Sequence, residues 1–339
     1  MTSIFIKSFN RAFYLDRCLA SIYKNVSGSY HIIILDDGTP EQYLEKIKNK
    51  YPDAEIRKSE NHSIKTTRVA EYPVSKKDIN GHKIPTAFWY ENVKNATDYV
   101  IVTEDDVWFT QPVNIDQLRQ HARLHQIGLI KLGWLGNHTD MKAHPKQEIS
   151  ENLEAISPSG LRLLPRPLME AFFTNRFKFF SMMYKLRLAD HASHRKYWAL
   201  NSILMGFFDK NYWLEIWSGM DGRVDEKKQL LNAAMAYKKN KSNPNFIAKL
   251  KTEAMRTTFQ SSATNSYHSY GYGFDANVFN HLINKAWLQG RFDAMENFPK
   301  DFSRPYLNSF IEDHMDVREF AKWADHFKNQ YATMGCTID

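Results

Sequence analysis

Three carboxylates stand side by side at Glu104, Asp105 and Asp106, between the apolar run Tyr99-Val100-Ile101-Val102-Thr103 and the apolar Val107-Trp108-Phe109. Adjacent like charges repel, and partial burial sharpens the repulsion. A group of opposite charge belongs beside them. A divalent cation would suit: Mg²⁺ or Mn²⁺ takes one or two protein carboxylates and completes its shell with water and phosphate oxygens. It would neutralise a diphosphate and ease its departure as a leaving group. Acidic triplets also occur on open polar loops, but the apolar flanks argue against that here. Two other polar stretches follow apolar runs, Ser8-Phe9-Asn10-Arg11 and Asp36-Asp37-Gly38. The second is either only a turn, which Asp and Gly favour, or part of one site with the other two.

The elements that would position these residues alternate. Residues 3–7 form a short apolar run, and residues 13–23 carry Tyr14, Leu15, Cys18, Leu19 and Ile22 as a helical stripe. Residues 31–35 read as a strand, and residues 41–51 as a helix with Tyr43, Leu44 and Ile47 on one face, stopped by Pro52. Residues 54–57 read as a third strand, 85–94 as a helix and 99–103 as the strand before the triplet. This order predicts an α/β fold, a parallel sheet with crossover helices. In such sheets ligands bind beyond the carboxyl ends of the strands, where all three polar stretches fall. Residues 127–132 predict another strand, followed by a turn through Gly133 and Gly136. From residue 276 the chain reads as helical. Val278, Phe279, Leu282, Ile283 and Trp287 form one stripe, closed by Gly290, and Phe310, Phe320, Trp323 and Phe327 form another.

The chain has 339 residues and 43% hydrophobic content, enough for a full core. Its 45 Lys and Arg against 38 Asp and Glu suit an anionic partner. Two cysteines, Cys18 and Cys336, make no disulfide framework, and Cys18 lies on the apolar face of its helix. No signal peptide is read at the start, and no uncharged apolar run reaches membrane-spanning length. The expectation is a cytoplasmic protein, with peripheral contact at the inner face of the membrane as an option. Most of the positive excess lies in residues 166–196, where seven Lys and Arg oppose two acids among many Phe, Met and Tyr. That segment reads first as core aromatics with solvated bases. Second, it reads as a surface for an anionic membrane. Nucleic acid comes last and is not expected, since no RNA-binding signature or zinc spacing accompanies it.

The first 110 residues resemble a glycosyltransferase of the GT-A fold, in the manner of glycosyltransferase family 2. The resemblance rests on four signals in order: Ser8-Phe9-Asn10-Arg11, the helix Tyr14-Leu15-Asp16-Arg17-Cys18-Leu19-Ala20-Ser21-Ile22, Asp36-Asp37-Gly38-Thr39, and Glu104-Asp105-Asp106 in the place of an Asp-X-Asp motif. It implies a mostly parallel, Rossmann-like sheet flanked by helices. Residues 1–110 would form the nucleotide-sugar half, 111–275 the acceptor half with the catalytic base, and 276–339 a helical extension.

By the same resemblance, Asp36 or Asp37 would bind the nucleobase, and Ser8 and Asn10 would line base and ribose. Asp106 would ligate the metal, with Glu104 and Asp105 near ribose and sugar, and Lys83 would face the nucleotide. His268 would complete the metal site, and an imidazole ligand suits Mn²⁺ better than Mg²⁺. Asp225, with Glu226 and Asp221 close behind, would be the general base that deprotonates the acceptor hydroxyl. These acids are equally read as a helix start, where the dipole favours them. One departure stands out: Phe88-Trp89-Tyr90 occupies the place of the family's Arg-Asn pair. The activity implied is metal-dependent, inverting transfer from a nucleotide-diphosphate sugar, a UDP-sugar above others, to a saccharide or glycolipid acceptor. The rival readings are a sugar-phosphate nucleotidyltransferase, which would need a Gly-rich phosphate loop after the first strand, and a non-catalytic nucleotide-, glycan- or membrane-binding protein on the same fold.

Overall fold

The computed structural model describes residues 1–77, 79, 83–135, 144–265 and 269–338. The strands are β1 (Thr2–Ser8), β2 (Tyr30–Asp36), β3 (Glu55–Lys58), β4 (Tyr99–Glu104), β5 (Val107–Phe109), β6 (Leu129–Lys131), β7 (Lys146–Ser150), β8 (Leu153–Ile156), β9 (Gly206–Asp209), β10 (Ile247–Leu250) and β11 (Met255–Thr257). The helices used below are α1 (Ala12–Asn25), α2 (Glu41–Lys50), α3 (His62–Ser75), α4 (Thr86–Lys94), α5 (Ile115–Leu124), α6 (Arg166–Thr174), α7 (Phe179–Lys185), α8 (Lys210–Trp217), α9 (Glu226–Asn240), α10 (Ala276–Leu288) and α11 (Val317–Thr333).

Among the described residues one nine-stranded sheet runs β3-β2-β1-β4-β9-β6-β10-β8-β7. β3, β2, β1 and β4 are mutually parallel, and β9 enters antiparallel between β4 and β6. β10 is parallel to β6, and β8 and β7 complete the sheet as antiparallel neighbours. Only β9 and β8 therefore oppose the common direction. The architecture is α/β, a mostly parallel sheet flanked by helices, as the sequence predicts. A small antiparallel pair, β5 with β11, stands beside the triplet.

The central strands are apolar on both faces because both faces are covered. Ile4 and Ile6 of β1 with Ile32 and Ile34 of β2 pack on one side, together with α1, α2, α10 and α11. Phe5, Ile33, Leu35, Val100 and Val102 pack on the other, against α4, α6, α8 and α9. The α1 stripe is wholly buried, and Cys18 is part of that core. The helices from Ala276 onward close over the first side. Phe279, Ile283, Trp287, Phe320, Trp323 and Phe327 all enter the same core as α1. Phe310 is partly buried against it from outside α11.

Candidate active site

Parallel register brings the polar strand ends to one edge. Ser8 lies level with Asp36 of β2, and Lys7 lies level with Glu104 of β4. Beyond that edge is a cavity of about 390 Å³. Its floor carries Lys7, Ser8, Arg11, Asp37, Lys65 and the acidic triplet. Trp89 and Ile84 form an apolar wall, and Thr257, Phe259, Phe327 and Tyr331 face them.

The opposite charge demanded by the triplet comes from the chain itself. Arg11 Nη1 donates to Asp106 Oδ2 at 2.7 Å, and Nη2 donates to Asp105 Oδ1 at 2.5 Å. The Phe9 amide donates to Asp105 Oδ2 at 3.1 Å. Lys7 Nζ donates to Glu104 Oε1 at 2.7 Å and lies 4.9 Å from the Trp89 ring centre, a cation–π contact. Burial alone would lower the Arg11 pKa, but the charges of Asp105, Asp106 and Glu104 outweigh it and hold the guanidinium above its ordinary value. Burial pushes the Asp105 and Asp106 carboxyls up, against the pull of Arg11. It also acts to raise Glu104, but there Lys7 wins and the carboxyl lies below its usual range.

Asp36 and Asp37 separate in role. Asp36 turns inward, where Oδ1 accepts from the Gly38 and Thr39 amides and Oδ2 from the Thr39 hydroxyl at 2.6 Å. It forms the turn, and only Asp37 lines the cavity. The Asp37 carboxylate accepts from Ser59 Oγ at 2.6 Å and from Lys65 Nζ at 2.5 Å. Burial raises its pKa, with Lys65 and Ser59 opposing. Gly38 has φ +143°, and a Cβ there would lie 2.6 Å from Lys65 Cβ. Glycine thus lets α3 approach closely enough for Lys65 to reach Asp37.

Other expected residues fall differently. Ser8 lines the cavity. Asn10 does not: its backbone carbonyl accepts from Asn284 Nδ2 at 2.9 Å and its amide donates to Thr39 Oγ1 at 2.9 Å. It fastens β1 to α10. Lys83 is exposed and pairs with Asp221 at 3.3 Å, while its backbone carbonyl accepts from Lys65 Nζ. Lys65 lines the cavity with Lys7 and Arg11, and Lys83 does not. Asp225 caps α9, its Oδ1 accepting from the Lys228 amide at 3.0 Å, which matches the helix-start reading. The neighbouring Glu226 is exposed, though partly desolvated. That desolvation, with the Asp225 charge added, raises its carboxyl. His268 lies outside the described residues.

Tyr331 of α11 links the two acidic groups. Burial first, and then the charges of Glu226, Asp106 and Glu104, push its hydroxyl up to about 12. The C-terminal helix thus lends Phe327 and Tyr331 to the cavity that holds the triplet, whereas Asp225 and Glu226 lie outside its lining. Lys65 and Tyr331 carry weak sequence signals. Tyr331 continues the Phe327 stripe by four residues. Lys65 sits on a helix whose buried positions, 62, 65 and 69, have helical spacing. Two of the three are polar, so an apolar period does not reveal it.

Whether a divalent cation fits is tested by the unsatisfied atoms. Asp106 Oδ1 and Ser8 Oγ are buried and find no hydrogen-bond partner among the described residues. A free carboxylate oxygen beside a phosphate-sized cavity suits Mg²⁺ or Mn²⁺, which leave most positions to water and substrate. No group of three His, Cys, Asp or Glu that could hold a metal converges among the described residues. The residues fit a cation held through Asp106.

The family comparison agrees with the motif order. Residues 3–68 match the model of Glycosyl transferase family 2, a segment that holds the Ser8–Arg11 and Asp36–Thr39 motifs and ends just past Lys65. A comparison with curated protein sequences finds no match. Among solved structures, S. aureus TarS 1–349 in complex with UDP-GlcNAc is 12% identical, covering 99% of this chain and 74% of that one, with a TM-score of 0.43. Glucosyl-3-phosphoglycerate synthase from Mycobacterium tuberculosis, in complex with Mn²⁺, UDP and phosphoglyceric acid, is 11% identical. It covers 87% of this chain and 80% of that one, with a TM-score of 0.38. The mannosyltransferase PcManGT from Pyrobaculum calidifontis, in complex with GDP-Man and Mn²⁺, is 12% identical, covering 99% and 76%, with a TM-score of 0.35. At these scores the likeness is loose, and what those proteins bind is a property of those proteins.

Proposed function

We propose that this protein is a metal-dependent, inverting glycosyltransferase that moves a sugar from a nucleotide-diphosphate sugar, a UDP-sugar first among them, to a saccharide or glycolipid hydroxyl. The observation that carries the reading is the cavity in which Asp37 with Lys65 and the triplet with its free Asp106 Oδ1 surround one volume, with Glu226 outside that lining but within electrostatic reach of its Tyr331. Asp37 would accept from the uracil N3–H at one end. Asp106 would hold the cation, and Arg11 and Lys7 aim the three carboxylates. The cation, when bound, supplies the charge that lets the diphosphate leave.

The general base passes, in this reading, from Asp225 to Glu226. Asp225 is engaged as a cap, whereas Glu226 is exposed, free of that capping bond, and has its basicity raised by desolvation and the Asp225 charge. Glu226 would take the acceptor proton as that oxygen bonds to the anomeric carbon and the bond to the diphosphate breaks. Tyr331 and Phe327 would exclude water from the far side.

One observation favours a second reading. Arg11 already pairs with Asp105 and Asp106, and Lys7 with Glu104, so the cavity could bind a nucleotide without a metal, as a binding protein would. Titration calorimetry of UDP, then GDP, with and without Mn²⁺, separates the two for wild type and Asp106→Asn. Manganese-dependent binding of UDP that disappears in Asp106→Asn supports the transferase. Metal-independent binding unaffected by Asp106→Asn supports the binding protein, and no nucleotide binding by folded protein rejects both. Turnover is then tested on Glu226→Gln, expected to fall roughly 10²–10⁴-fold with UDP affinity retained, and on Asp225→Asn, expected to stay near wild type.

A further inference from the structure

Residues 166–196 have two faces. The inner one is core: Met169, Phe172, Phe173 and Met183 are buried. Against them His194 sits among rings, 4.7 Å from the centre of Phe172, 5.1 Å from Phe173 and 4.6 Å from Phe180. The outer face is bare. Leu168, Phe177, Met182, Tyr184, Leu186 and Leu188 are all exposed, half of the large exposed hydrophobic residues among those described. Soluble surfaces scatter such residues singly; contiguous ones mark contact sites.

Phe177 is the extreme case, 86% exposed. It stands at the tip of a turn in which Asn175, Phe177 and Lys178 all have φ between +54° and +57°. Non-glycine residues adopt that region at a cost of roughly 1–2 kcal/mol each. The turn is nevertheless fastened: the Ser181 amide donates to Asn175 Oδ1 at 3.0 Å, and Asn175 Nδ2 donates to Ser181 Oγ at 2.9 Å. Structure is being used to hold an aromatic ring out into the surroundings.

Most of the bases there lack an ion-pair partner, although Arg176 lies 4.9 Å from the Phe177 ring centre. Arg166 pairs with Glu170. Among the described residues no ion pair is formed by Arg176, Lys178, Lys185, Arg187, Arg195 or Lys196. Behind the exposed run Tyr184-Lys185-Leu186-Arg187-Leu188 lies a depression of about 570 Å³ edged by Arg162, Lys185, Arg187 and Lys196, with Asp190 as its one acid. Arg162 itself donates to the Leu188 carbonyl, which holds the rim in place. A surface that alternates unpaired bases with exposed apolar side chains matches an anionic bilayer, whose headgroups take the bases and whose acyl boundary takes the rings.

We propose that the face made by residues 168–188 docks this protein on an anionic lipid bilayer, with Phe177 and Leu186 entering the acyl boundary and Lys185, Arg187 and Lys196 at the phosphates. Docking is separate from the transferase reading, and each stands without the other. The inner face of α6 packs with the α9 core, so the docked layer and the acids at the start of α9 belong to one packed unit. A glycolipid acceptor would then be met at the surface where it resides.

The test is co-sedimentation of the purified full chain with vesicles of phosphatidylcholine alone and of phosphatidylcholine with about a third phosphatidylglycerol. Binding is expected on the anionic vesicles only, and it should be lost in 0.5 M salt as screening removes the charge contribution. Lys185→Glu with Arg187→Glu should weaken partition at least 25-fold, taking roughly fivefold per base near the surface. Phe177→Ser should weaken it about tenfold, the scale of one partly buried ring. All these side chains are exposed, so the variants should keep the wild-type melting temperature and UDP affinity. No binding to anionic vesicles overturns the proposal. So does equal binding of wild type and both variants. Salt-sensitive binding to a single-stranded oligonucleotide without vesicle binding overturns it too, and assigns the bases to nucleic acid.

Discussion

The protein holds cations in two regions, and it treats them oppositely. At the cavity floor Lys7, Arg11 and Lys65 are buried and each is bonded to a carboxylate. In the outer layer of residues 166–196 the bases are exposed, and among the described residues one ion pair forms. Buried charges must be paired or the desolvation cost is prohibitive. Exposed ones need no partner and remain available to an outside one. The first region uses charge to aim acids; the second offers charge to the surroundings.

The sharpest way to break this comparison is to remove the charge in each place. Arg11→Met leaves Asp105 and Asp106 buried against each other, and unfolding free energy should drop by about 3–5 kcal/mol. Arg187→Met in the outer layer should stay within about 0.5 kcal/mol of wild type. Urea unfolding of the two variants measures the difference. If Arg11→Met proves mild, the triplet is not held by the guanidinium and the free Asp106 oxygen loses its significance. Adding Asp106→Asn to Arg11→Met should recover part of the loss, since it removes one of the stranded charges.

Glycines sharpen the contrast further. Gly38→Ala would set a Cβ 2.6 Å from Lys65 Cβ and 3.0 Å from the Phe9 ring, at φ +143°. A stability loss of roughly 1–3 kcal/mol is expected, with UDP binding weakened because α3 must retreat and take Lys65 from Asp37. At the outer layer, Gly160 also has positive φ, +68°, but a Cβ there would meet nothing nearer than Lys196 Nζ at 3.6 Å. Gly160→Ala should therefore show only the backbone cost, about 1 kcal/mol, with UDP binding unchanged. Thermal melts and calorimetry on the pair report both quantities.

The same division explains what the sequence made legible. Whereas β5 and β7 to β11 were not legible as strands, strands β1, β2, β3, β4 and β6 and helices α1, α2, α4 and α10 were readable because most of their buried positions are apolar and fall at the period of the element. So was the site edge, because Asp and Glu after β-branched runs are conspicuous. The helix α3 was not, since it buries His62 and Lys65 against Asp36 and Asp37 rather than against a core, and it contains Pro73. Partners across the chain were not readable either. Arg11 stands beside Asn10 in the quoted motif, yet nothing local says that it reaches residues 105 and 106. The invisible role of Arg17 is similar: it is fully buried, and it donates to the Ala294 and Glu296 carbonyls at 3.1 and 3.0 Å. A residue of the quoted helix motif thus serves the C-terminal extension. The surface of residues 166–196 was legible in composition alone, because no periodicity tells which Phe faces inward.

The acids at α9 give a smaller, separable effect. Asp225→Ala removes a cap and should cost about 1 kcal/mol, whereas Asp225→Asn keeps a capping side chain and should cost little. If turnover follows the cap, falling in the alanine variant and surviving in the asparagine one, Asp225 positions Glu226 and is not the base. Loss of turnover in Asp225→Asn with unchanged stability would return the base to Asp225.

The smallest effect joins the two regions through pH. His194 lies inside the outer layer, with Nε2 3.1 Å from the Phe172 carbonyl. Burial among the rings lowers its pKa from the ordinary 6.5; the Phe172 carbonyl opposes this, and Lys227 adds to the lowering. A group with a depressed folded pKa contributes stability that is complete above its unfolded value. That contribution shrinks as pH falls below 6.5 toward the folded value. Melting curves of wild type and His194→Phe should thus run parallel between pH 8 and 7 and converge or cross on acidification, because the variant lacks the titration while other groups cancel. A constant gap down to pH 5 would mean that the imidazole is as free to protonate in the fold as outside it. The outer layer would then be loosely packed on both faces, and the distinction between its core side and its docking side would fail.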